Sequence, residues 1–322
     1  MIRIDVPFRI HITLIAMHAC SFRKNGGIGL SVNSGCNLTA KKSLTTSIKC
    51  NGFVNNPRKL SDIETLVNKI SINRNLTHKP EITINGDIYF HSGLGAGTAI
   101  TLACIEAAFL INNIDYEISD IKLLSRRGGT SGIGINSYFC GGFILDLGHV
   151  ADNTEHKPSS FVANHKLPIT LNQVPFHFEN LFFILPLEPP LVYGDNEKEF
   201  FDNNTPINEN KAHEICYLSI FGVLASVIER DLNKFSDAIN AIQNTEWKSL
   251  EIQRAGNVIT SLISELKTLN CCSIGMSSLG HGIFFILKDI NNLNKIEKLA
   301  QAKKCKLIPL SPSNSGRLIE IV

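Results

Sequence analysis

A glycine-rich segment between positions 127 and 142 constrains this chain most. Glycine stands at positions 128, 129, 132, 134, 141 and 142, a density far above the average of roughly 7% for proteins. Such density indicates backbone in conformations closed to other residues, or backbone that approaches a ligand closely. A second glycine segment, His91–Thr98, lies upstream. Together the two segments predict a site for a phosphorylated small molecule.

The upstream segment has the surroundings that a phosphate loop requires. Alternating isoleucines predict a strand over Glu81–Phe90 before it. After it, Thr98–Asn112 is apolar almost all round, which predicts a buried helix. The N-terminus of that helix would direct free N–H groups at the loop, an arrangement that binds anions. The spacing matches neither the GxxxxGKS/T loop nor the dinucleotide fingerprint.

Composition excludes several classes of protein. The 322 residues carry 31 basic and 29 acidic side chains, too even a balance for a nucleic-acid binder. The first residues lack the pattern of a secretory signal, and the apolar stretch Ile10–Cys20 is too short to cross a membrane. The nine cysteines contain no CxxC pair, which predicts reduced thiols, a cytoplasmic protein and no zinc site of the usual cysteine spacing.

The order of predicted elements favours an α+β fold, because strands and helices alternate without a regular βαβ rhythm. The length suggests two domains, which we place at residues 1–175 and 176–322. A helix is predicted over Ser61–Asn73 with Ser61 as its N-cap. A third loop of small residues, Gly275–Gly282, lies near the end of the chain.

These motifs resemble those of the GHMP superfamily of small-molecule kinases. Gly93-Leu94-Gly95-Ala96-Gly97-Thr98 is similar to the phosphate loop of that superfamily, and Gly275-Met276-Ser277-Ser278-Leu279-Gly280 to its C-terminal motif. The resemblance implies a two-domain GHMP fold. Its N-terminal part would be like domain 2 of ribosomal protein S5, and its C-terminal part would be ferredoxin-like.

One branch of the superfamily, the β-ribofuranosylaminobenzene 5′-phosphate synthases, is more similar still. The matching segments are Arg9–Ile15, Gly26–Leu30, His91–Gly95, Arg127–Gly134 and Gly141–Asp146, with Gly148-His149 after them. The kinases have a catalytic Asp in their Ser-Gly-x-Asp motif, whereas here Ser131-Gly132-Ile133 is followed by Gly134. Loss of a general base typically costs 10²–10⁴-fold in rate, so Gly134 favours the synthases over the kinases.

The resemblance implies C-glycoside formation from phosphoribosyl pyrophosphate (PRPP) and an aromatic or heteroaromatic carboxylic acid, with loss of CO₂ and pyrophosphate. It also implies Mg²⁺ as a cofactor, and we expect a homodimer that binds neither nucleic acid nor a membrane. Thr130 and Ala16 differ from the residues that the branch has at these positions, and Leu147 replaces a glycine. The acceptor therefore stays open between an aminobenzoate, a hydroxybenzoate and a heteroaromatic acid.

The predicted site residues fall into three groups. Arg9 and His11 lie in alternating strand positions and would orient the carboxylate of the acceptor, while Asp146 and His149 would assist the chemistry. Mg²⁺ would be held by Glu106 and Asp146, because a buried carboxylate needs a partner. Phosphate would be bound by the two glycine segments and their arginines: Ser92, Gly93, Leu94, Gly95, Ala96, Gly97, Thr98, Arg126, Arg127, Gly128, Gly129, Thr130, Ser131 and Gly132.

Two other functions remain open on the sequence. One is an ATP-dependent GHMP kinase in which another carboxylate replaces the missing Asp. The other is a ligand sensor without catalysis on the same scaffold.

Overall fold

The computed structural model of the protein describes residues 1–152, 154–162, 166–188 and 195–321. The strands are Ile2–Asp5 (β1), Phe8–Ala16 (β2), Arg23–Asn33 (β3), Asn37–Ser43 (β4), Ser47–Cys50 (β5), Lys79–Asn85 (β6), Phe143–Asp146 (β7), His149–Val150 (β8), Thr170–Val174 (β9), Leu181–Pro186 (β10), Cys271–Met276 (β11), Ile283–Leu287 (β12), Cys305–Pro312 (β13) and Leu318–Ile321 (β14).

The helices alternate with these strands without a regular order. They are Pro57–Asn73 (α1), Ala96–Leu110 (α2), Ile118–Leu124 (α3), Ile133–Cys140 (α4), Asp195–Asn204 (α5), Glu209–Tyr217 (α6), Ala225–Glu229 (α7), Leu232–Gln243 (α8), Glu246–Ala255 (α9), Asn257–Thr268 (α10) and Leu293–Ala302 (α11). A π-helical segment, Leu218–Leu224, joins α6 to α7, and short 3₁₀ turns lie at Ser159–Phe161 and Ile290–Asn292.

Two sheets organise the molecule. One has the order β14-β1-β4-β6-β5, and the other has the order β11-β12-β10-β13-β3-β7-β9, with β2 and β8 also paired to β3. Strands β10 and β12 are buried at every position, as expected for strands covered on both faces. The last strand, β14, pairs with β1, so the end of the chain returns to the N-terminal sheet. The domain boundary at 175 stays a prediction.

Helix α2 is the buried helix that the sequence predicts, and it contacts α1 and α4. Helix α1 begins earlier than predicted. Its N-cap is Asn56, whose side-chain oxygen accepts a hydrogen bond from the Lys59 amide at 3.3 Å. Pro57 occupies the first helical position, where its missing N–H costs nothing. The prediction of Ser61 as the N-cap is therefore wrong.

The second glycine segment contains a helix that the sequence analysis did not anticipate. Helix α4 follows Gly132 directly and ends at Gly141, whose φ of +69° lies in the left-handed region. A Cβ at Gly141 would lie 2.3 Å from the Gly316 nitrogen, so this turn requires glycine for its space as well as its backbone angle. The helix turns Gly134 toward α2.

One helical run among the described residues, Glu209–Glu229, is long and apolar enough to cross a membrane by length and composition alone. The same run contacts β2 and α8 within the fold, and core helices of soluble proteins share this composition. The nine cysteines are all free.

Candidate functional site

The three glycine segments meet around one pocket of about 530 Å³. The first contributes Gly93 and Gly95–Thr98, the second contributes Gly128, Thr130, Ser131, Gly134 and Ile135, and the third contributes Ser278–Gly280. The pocket has the size of an ordinary small-molecule site.

Hydrogen bonds fasten the third segment to the first segment and to β2. The Ser277 hydroxyl donates to the Gly93 carbonyl at 2.6 Å and accepts from the His11 amide at 3.0 Å. The Ser278 amide donates to the His11 carbonyl at 2.9 Å, and the Gly282 amide donates to the Ser92 carbonyl at 3.1 Å. The first glycine segment, the predicted phosphate loop, is therefore held in place by contacts within the protein.

The N-terminus of α2 opens onto the pocket. Gly95 caps the helix with a left-handed φ of +69°, and Ala96, Gly97 and Thr98 form its first turn. Because an α-helix leaves its first N–H groups without carbonyl partners and concentrates partial positive charge there, this turn suits an anion.

Four basic side chains line the same pocket: Arg9, Arg58, Lys59 and Arg127. The Arg9 guanidinium donates to the Gly93 carbonyl at 2.5 Å. Burial lowers the pKa of Arg9 to about 10, against the opposing effect of Glu197, so Arg9 stays charged at neutral pH. Burial also lowers the pKa of Arg127. Guanidinium groups in this setting bind phosphate oxygens in a bidentate manner.

Three carboxylates, Asp62, Glu197 and Glu251, face these cations. Glu251 forms a buried ion pair of 2.6 Å with Lys248. Burial raises the pKa of Glu197 to about 7, although Arg254, Arg127 and Arg9 lower it. Glu197 therefore changes charge near neutral pH, which is a property of many catalytic carboxylates.

His11 lines the pocket beside Arg9, as their alternation in β2 predicts. The ring nitrogen Nδ1 of His11 is buried and has no hydrogen-bond partner among the described residues. Burial, with help from Arg9 and Lys248, keeps the pKa of His11 well below its usual value. The imidazole is neutral at pH 7 and has a free polar atom in a pocket lined by basic side chains.

Asp146 and His149 support the second glycine segment and do not line the pocket. The two Asp146 oxygens accept from the Gly132 amide at 2.6 Å and the Gly148 amide at 2.8 Å. The His149 ring lies 2.9 Å from the Gly128 carbonyl oxygen. Burial raises the pKa of Asp146 to about 6. Both residues position the loop. These contacts speak against the predicted catalytic roles of Asp146 and His149, and against Asp146 as a Mg²⁺ ligand.

The contacts of Glu106 contradict its predicted role as a Mg²⁺ ligand. Its side chain is fully buried in α2, where its carboxylate accepts from Tyr116 at 2.6 Å, from Tyr138 at 2.5 Å and from Arg317 at 2.6 Å. A carboxylate with these partners is already paired, and it does not line the pocket. The prediction of Glu106 as a Mg²⁺ ligand is wrong, because its partner is Arg317.

Other predicted phosphate ligands lie behind the pocket wall. The Ser92 hydroxyl donates to the Tyr89 carbonyl at 2.8 Å, and the Leu94 carbonyl accepts from the Arg9 amide at 2.9 Å. A Cβ at Gly129 or at Gly132 would collide with the side chain of Val162 or Pro168, so these two glycines serve packing.

Arg126 is exposed, and it lines a larger open groove of about 1080 Å³ beside the pocket. This groove runs between α1 and α3. It shares Lys59, Asp62, Arg127 and Ser159 with the pocket. Arg126 lines the groove but not the pocket.

Gly134 lies in the wall of the pocket against Thr98. A Cβ at Gly134 would lie 3.4 Å from Thr98 Cγ2 and would meet nothing closer. The position could therefore accommodate a side chain directed at the bound ligand. By the resemblance of the motifs, this is the position of the kinase carboxylate, and here it is occupied by glycine.

The sequence analysis missed five charged residues of the pocket: Arg58, Lys59, Asp62, Glu197 and Glu251. The first three lie in the first turns of α1, where charged residues predict only a solvated helix end. Glu197 and Glu251 lie in α5 and α9, far from any motif. The only sequence signal was the pair of adjacent cations Arg58 and Lys59, which is common on protein surfaces.

Gly97 offers a test of the phosphate loop. A Cβ at Gly97 would lie 3.5 Å from the Arg127 guanidinium and 3.7 Å from Phe90, so Gly97→Ala should fold with unchanged or slightly higher stability, by up to about 1 kcal/mol. The methyl group would occupy the space of a bound phosphate. We expect affinity for inorganic pyrophosphate, measured by calorimetry, to fall at least about tenfold, by roughly 1.4 kcal/mol.

A substitution at Gly95, unlike Gly97→Ala, should also lower stability. Any side chain there meets a left-handed backbone and approaches Arg9 Cγ at 2.7 Å, so Gly95→Val should lose both stability and binding. A Gly97→Ala protein that is stable and binds pyrophosphate like the wild type would contradict the loop assignment.

Known proteins resemble the chain over its full length. It is 29% identical to the β-ribofuranosylphenol 5′-phosphate synthase of Archaeoglobus fulgidus over 100% of both chains. It is also 29% identical to the enzyme of the same name from Methanocaldococcus jannaschii, over 87% of this chain and 88% of that one. These matches, which cover nearly the whole chain, confirm the resemblance to the ribofuranosyl 5′-phosphate synthases. No family model matches the chain.

Solved structures establish the fold. The homoserine kinase of Cytophaga hutchinsonii superposes with a TM-score of 0.63 at 14% identity, over 99% of this chain and 97% of that one. The phosphomevalonate kinase of Streptococcus pneumoniae, solved with phosphomevalonate and AMPPNP, gives 0.62 at 12% identity, over 97% and 100%. The fold is the α+β fold of the GHMP kinases, as the motifs predict.

Proposed function

We propose that this relative of the β-ribofuranosylphenol 5′-phosphate synthases is a PRPP-dependent C-glycosyltransferase. It joins ribose 5-phosphate to a ring carbon of an aromatic or heteroaromatic carboxylic acid. One observation carries the proposal: the pocket has the cations and helix N-terminus of a phosphate site, while the position of the kinase carboxylate is Gly134.

The apolar part of the pocket supports an aromatic co-substrate. Leu14, Phe90, Ile135, Phe201 and Leu279 line it alongside the cations. Such a wall excludes water and packs against a planar ring, while the neutral imidazole of His11 and the guanidinium of Arg9 lie where a carboxylate could accept hydrogen bonds.

The proposed reaction balances without a covalent intermediate. The bond between C1 of the ribose and the pyrophosphate oxygen breaks, and the electron pair leaves with pyrophosphate. The ring carbon that bears the carboxylate then bonds to C1, and CO₂ departs and restores the aromatic ring. Lys59 and Arg127 would stabilise the departing charge, and orientation of the two substrates would supply much of the acceleration.

The predicted Mg²⁺ ligands do not fit, because the oxygens of Glu106 and Asp146 are occupied by protein donors. We derive no step through a metal held by those residues. Mg²⁺ bound to the pyrophosphate of the substrate stays a prediction.

Glu197 gives the proposal a pH dependence. Its ionised carboxylate would stabilise the positive charge that develops on the ribose, so kcat/KM, which reports the free enzyme, should rise with pH through about 7, where Glu197 loses its proton. In Glu197→Gln, kcat/KM should fall by about 10²-fold, and its rise with pH near 7 should vanish. Glu199→Gln, an exposed neighbour in α5, should retain both rate and profile. A Glu197→Gln enzyme with the wild-type profile would exclude this role.

Ligand-induced stabilisation tests the proposed function. PRPP with Mg²⁺ should raise the Tm, and ATP with Mg²⁺ should not. Pyrophosphate release should then be assayed with 4-hydroxybenzoate, 4-aminobenzoate and heteroaromatic acids. A hydroxybenzoate should be assayed first. When its ring carbon is ribosylated and CO₂ is lost, the product is a ribosylated phenol. Stabilisation by ATP alone would favour the kinase, and stabilisation by neither ligand would favour the sensor.

A further inference from the structure

Two histidines and a glutamate cluster away from the pocket, where the end of β2 meets the first turns of α6. They are His18, Glu209 and His213, and their ligand atoms all lie within 4.8 Å of one another. None of the three lines the central pocket. No motif of the sequence includes them, because they come from distant parts of the chain.

The geometry is close to that of a metal site. Glu209 and His213 are four residues apart on one helix face, and His213 Nε2 lies 3.8 Å from Glu209 Oε1. The rings of His18 and His213 meet edge to face with their centres 5.7 Å apart. Zinc bonds of about 2.0–2.1 Å to N and O place tetrahedral ligand atoms about 3.4 Å apart. Small side-chain rotations of these partly exposed groups would reach that spacing.

A further donor, Cys20, lies beside His18. The Cys20 sulfur is 3.5 Å from His18 Nδ1, and its thiol donates to the His18 carbonyl at 2.9 Å. Two imidazoles, a carboxylate and a thiol are the donors that zinc takes in proteins. Magnesium and calcium prefer oxygen ligands alone, so this donor set selects against them.

The polypeptide around the cluster is held in place by further contacts. The His156 ring, itself buried, lies 3.0 Å from the His18 carbonyl oxygen and 2.8 Å from the Asn25 side-chain oxygen. The Ile207 amide donates to the Met17 carbonyl at 3.0 Å. These contacts fix the loop that bears His18 and bring it to the start of α6. Outer-shell contacts of this kind position the ligands of metal sites.

We propose that His18, Cys20, Glu209 and His213 form a structural site for one zinc ion. Bound zinc would join the end of β2 to α6. Strand β2 carries Arg9 and His11, and α5, immediately before α6, carries Glu197 to the pocket. The metal would therefore fix two walls of the pocket relative to each other without touching the substrate.

Zinc binding by the full-length protein tests the site. Protein stripped with a chelator should bind one equivalent of Zn²⁺ and gain Tm on loading. His18→Ala and His213→Ala should each weaken binding by at least about 100-fold, since even outer-shell changes cost 10–100-fold. His177→Ala, which removes an exposed histidine outside the cluster, should bind as the wild type does. Equal affinity in the wild type and the His18→Ala/His213→Ala double variant would overturn the proposal.

Cobalt substitution tests the fourth ligand. The Co²⁺-loaded wild type should show the near-ultraviolet charge-transfer band of a thiolate ligand, and Cys20→Ser should lose it. An equally strong band in Cys20→Ser would overturn the assignment of Cys20. These readouts do not depend on activity, so they stand apart from the proposed glycosyl transfer.

Discussion

Replacing Arg127 with alanine is expected to lower kcat/KM for PRPP by about 10²–10³-fold, within the range for loss of a desolvated charge contact. Arg127 lines both the pocket and the adjoining groove, and burial already perturbs its pKa. A guanidinium in this position should bind a phosphate group by two parallel hydrogen bonds. Steady-state kinetics with varied PRPP would measure the effect.

The neighbouring arginine is a matched control. Arg126 is exposed and lines only the groove, so Arg126→Ala should change kcat/KM by less than about threefold, as expected for a solvated charge. Arg127→Lys keeps the charge but loses the bidentate geometry and should recover only part of the activity. Equal losses in Arg126→Ala and Arg127→Ala would contradict the placement of the phosphates.

Introducing a carboxylate at position 134 is expected to reduce PRPP affinity by about 10²-fold or more, because like charges placed together cost several kcal/mol. A side chain on Gly134 would lie against Thr98, at the first turn of α2, where we place a phosphate. Gly134→Asp would place negative charge there. Calorimetric titration with PRPP would measure the loss.

Gly134→Ala separates charge from size. The alanine Cβ makes an ordinary contact of 3.4 Å with Thr98 Cγ2, and alanine in a helix is about 0.5–1 kcal/mol more favourable than glycine. Gly134→Ala should therefore fold at least as well as the wild type and keep most of its affinity. An Asp variant that binds PRPP as tightly as the Ala variant would contradict the account of Gly134.

Local patterns were sufficient to predict a strand, a glycine loop and a buried helix in this order, although the strand ends at Asn85 and not at Phe90. Each of these patterns depends only on residues that are close in sequence. They are the alternation before His91, the glycines of Gly93–Gly97 and the apolar run after them. Resemblance added the fold, whereas the contact of the third loop with the first is seen only in the structure. Helix α4 was missed because Gly132 and Gly134 dilute its helical pattern, although Ile133–Cys140 packs as a helix against α2.

The roles of the buried carboxylates depended on contacts between distant residues. The position of Glu106 on a buried helix predicts that its carboxylate has a partner. The sequence does not identify that partner, which is Arg317, 211 residues later. Asp146 ends strand β7 near the site, yet its oxygens accept hydrogen bonds from loop amides. In the same way, only the packing of α5 brings Glu197 to the cations and raises its pKa to about 7. Pairing of this kind leaves no trace in local sequence.

The products formed from a carboxyl-labelled aromatic acid and PRPP test the central claim most directly. The account predicts that labelled CO₂, pyrophosphate and a ribosylated ring appear in equal amounts, and that none forms when PRPP is omitted or replaced by ATP. Formation of ADP and a phosphorylated small alcohol from ATP, with no labelled CO₂ released by any acid in the presence of PRPP, would contradict it.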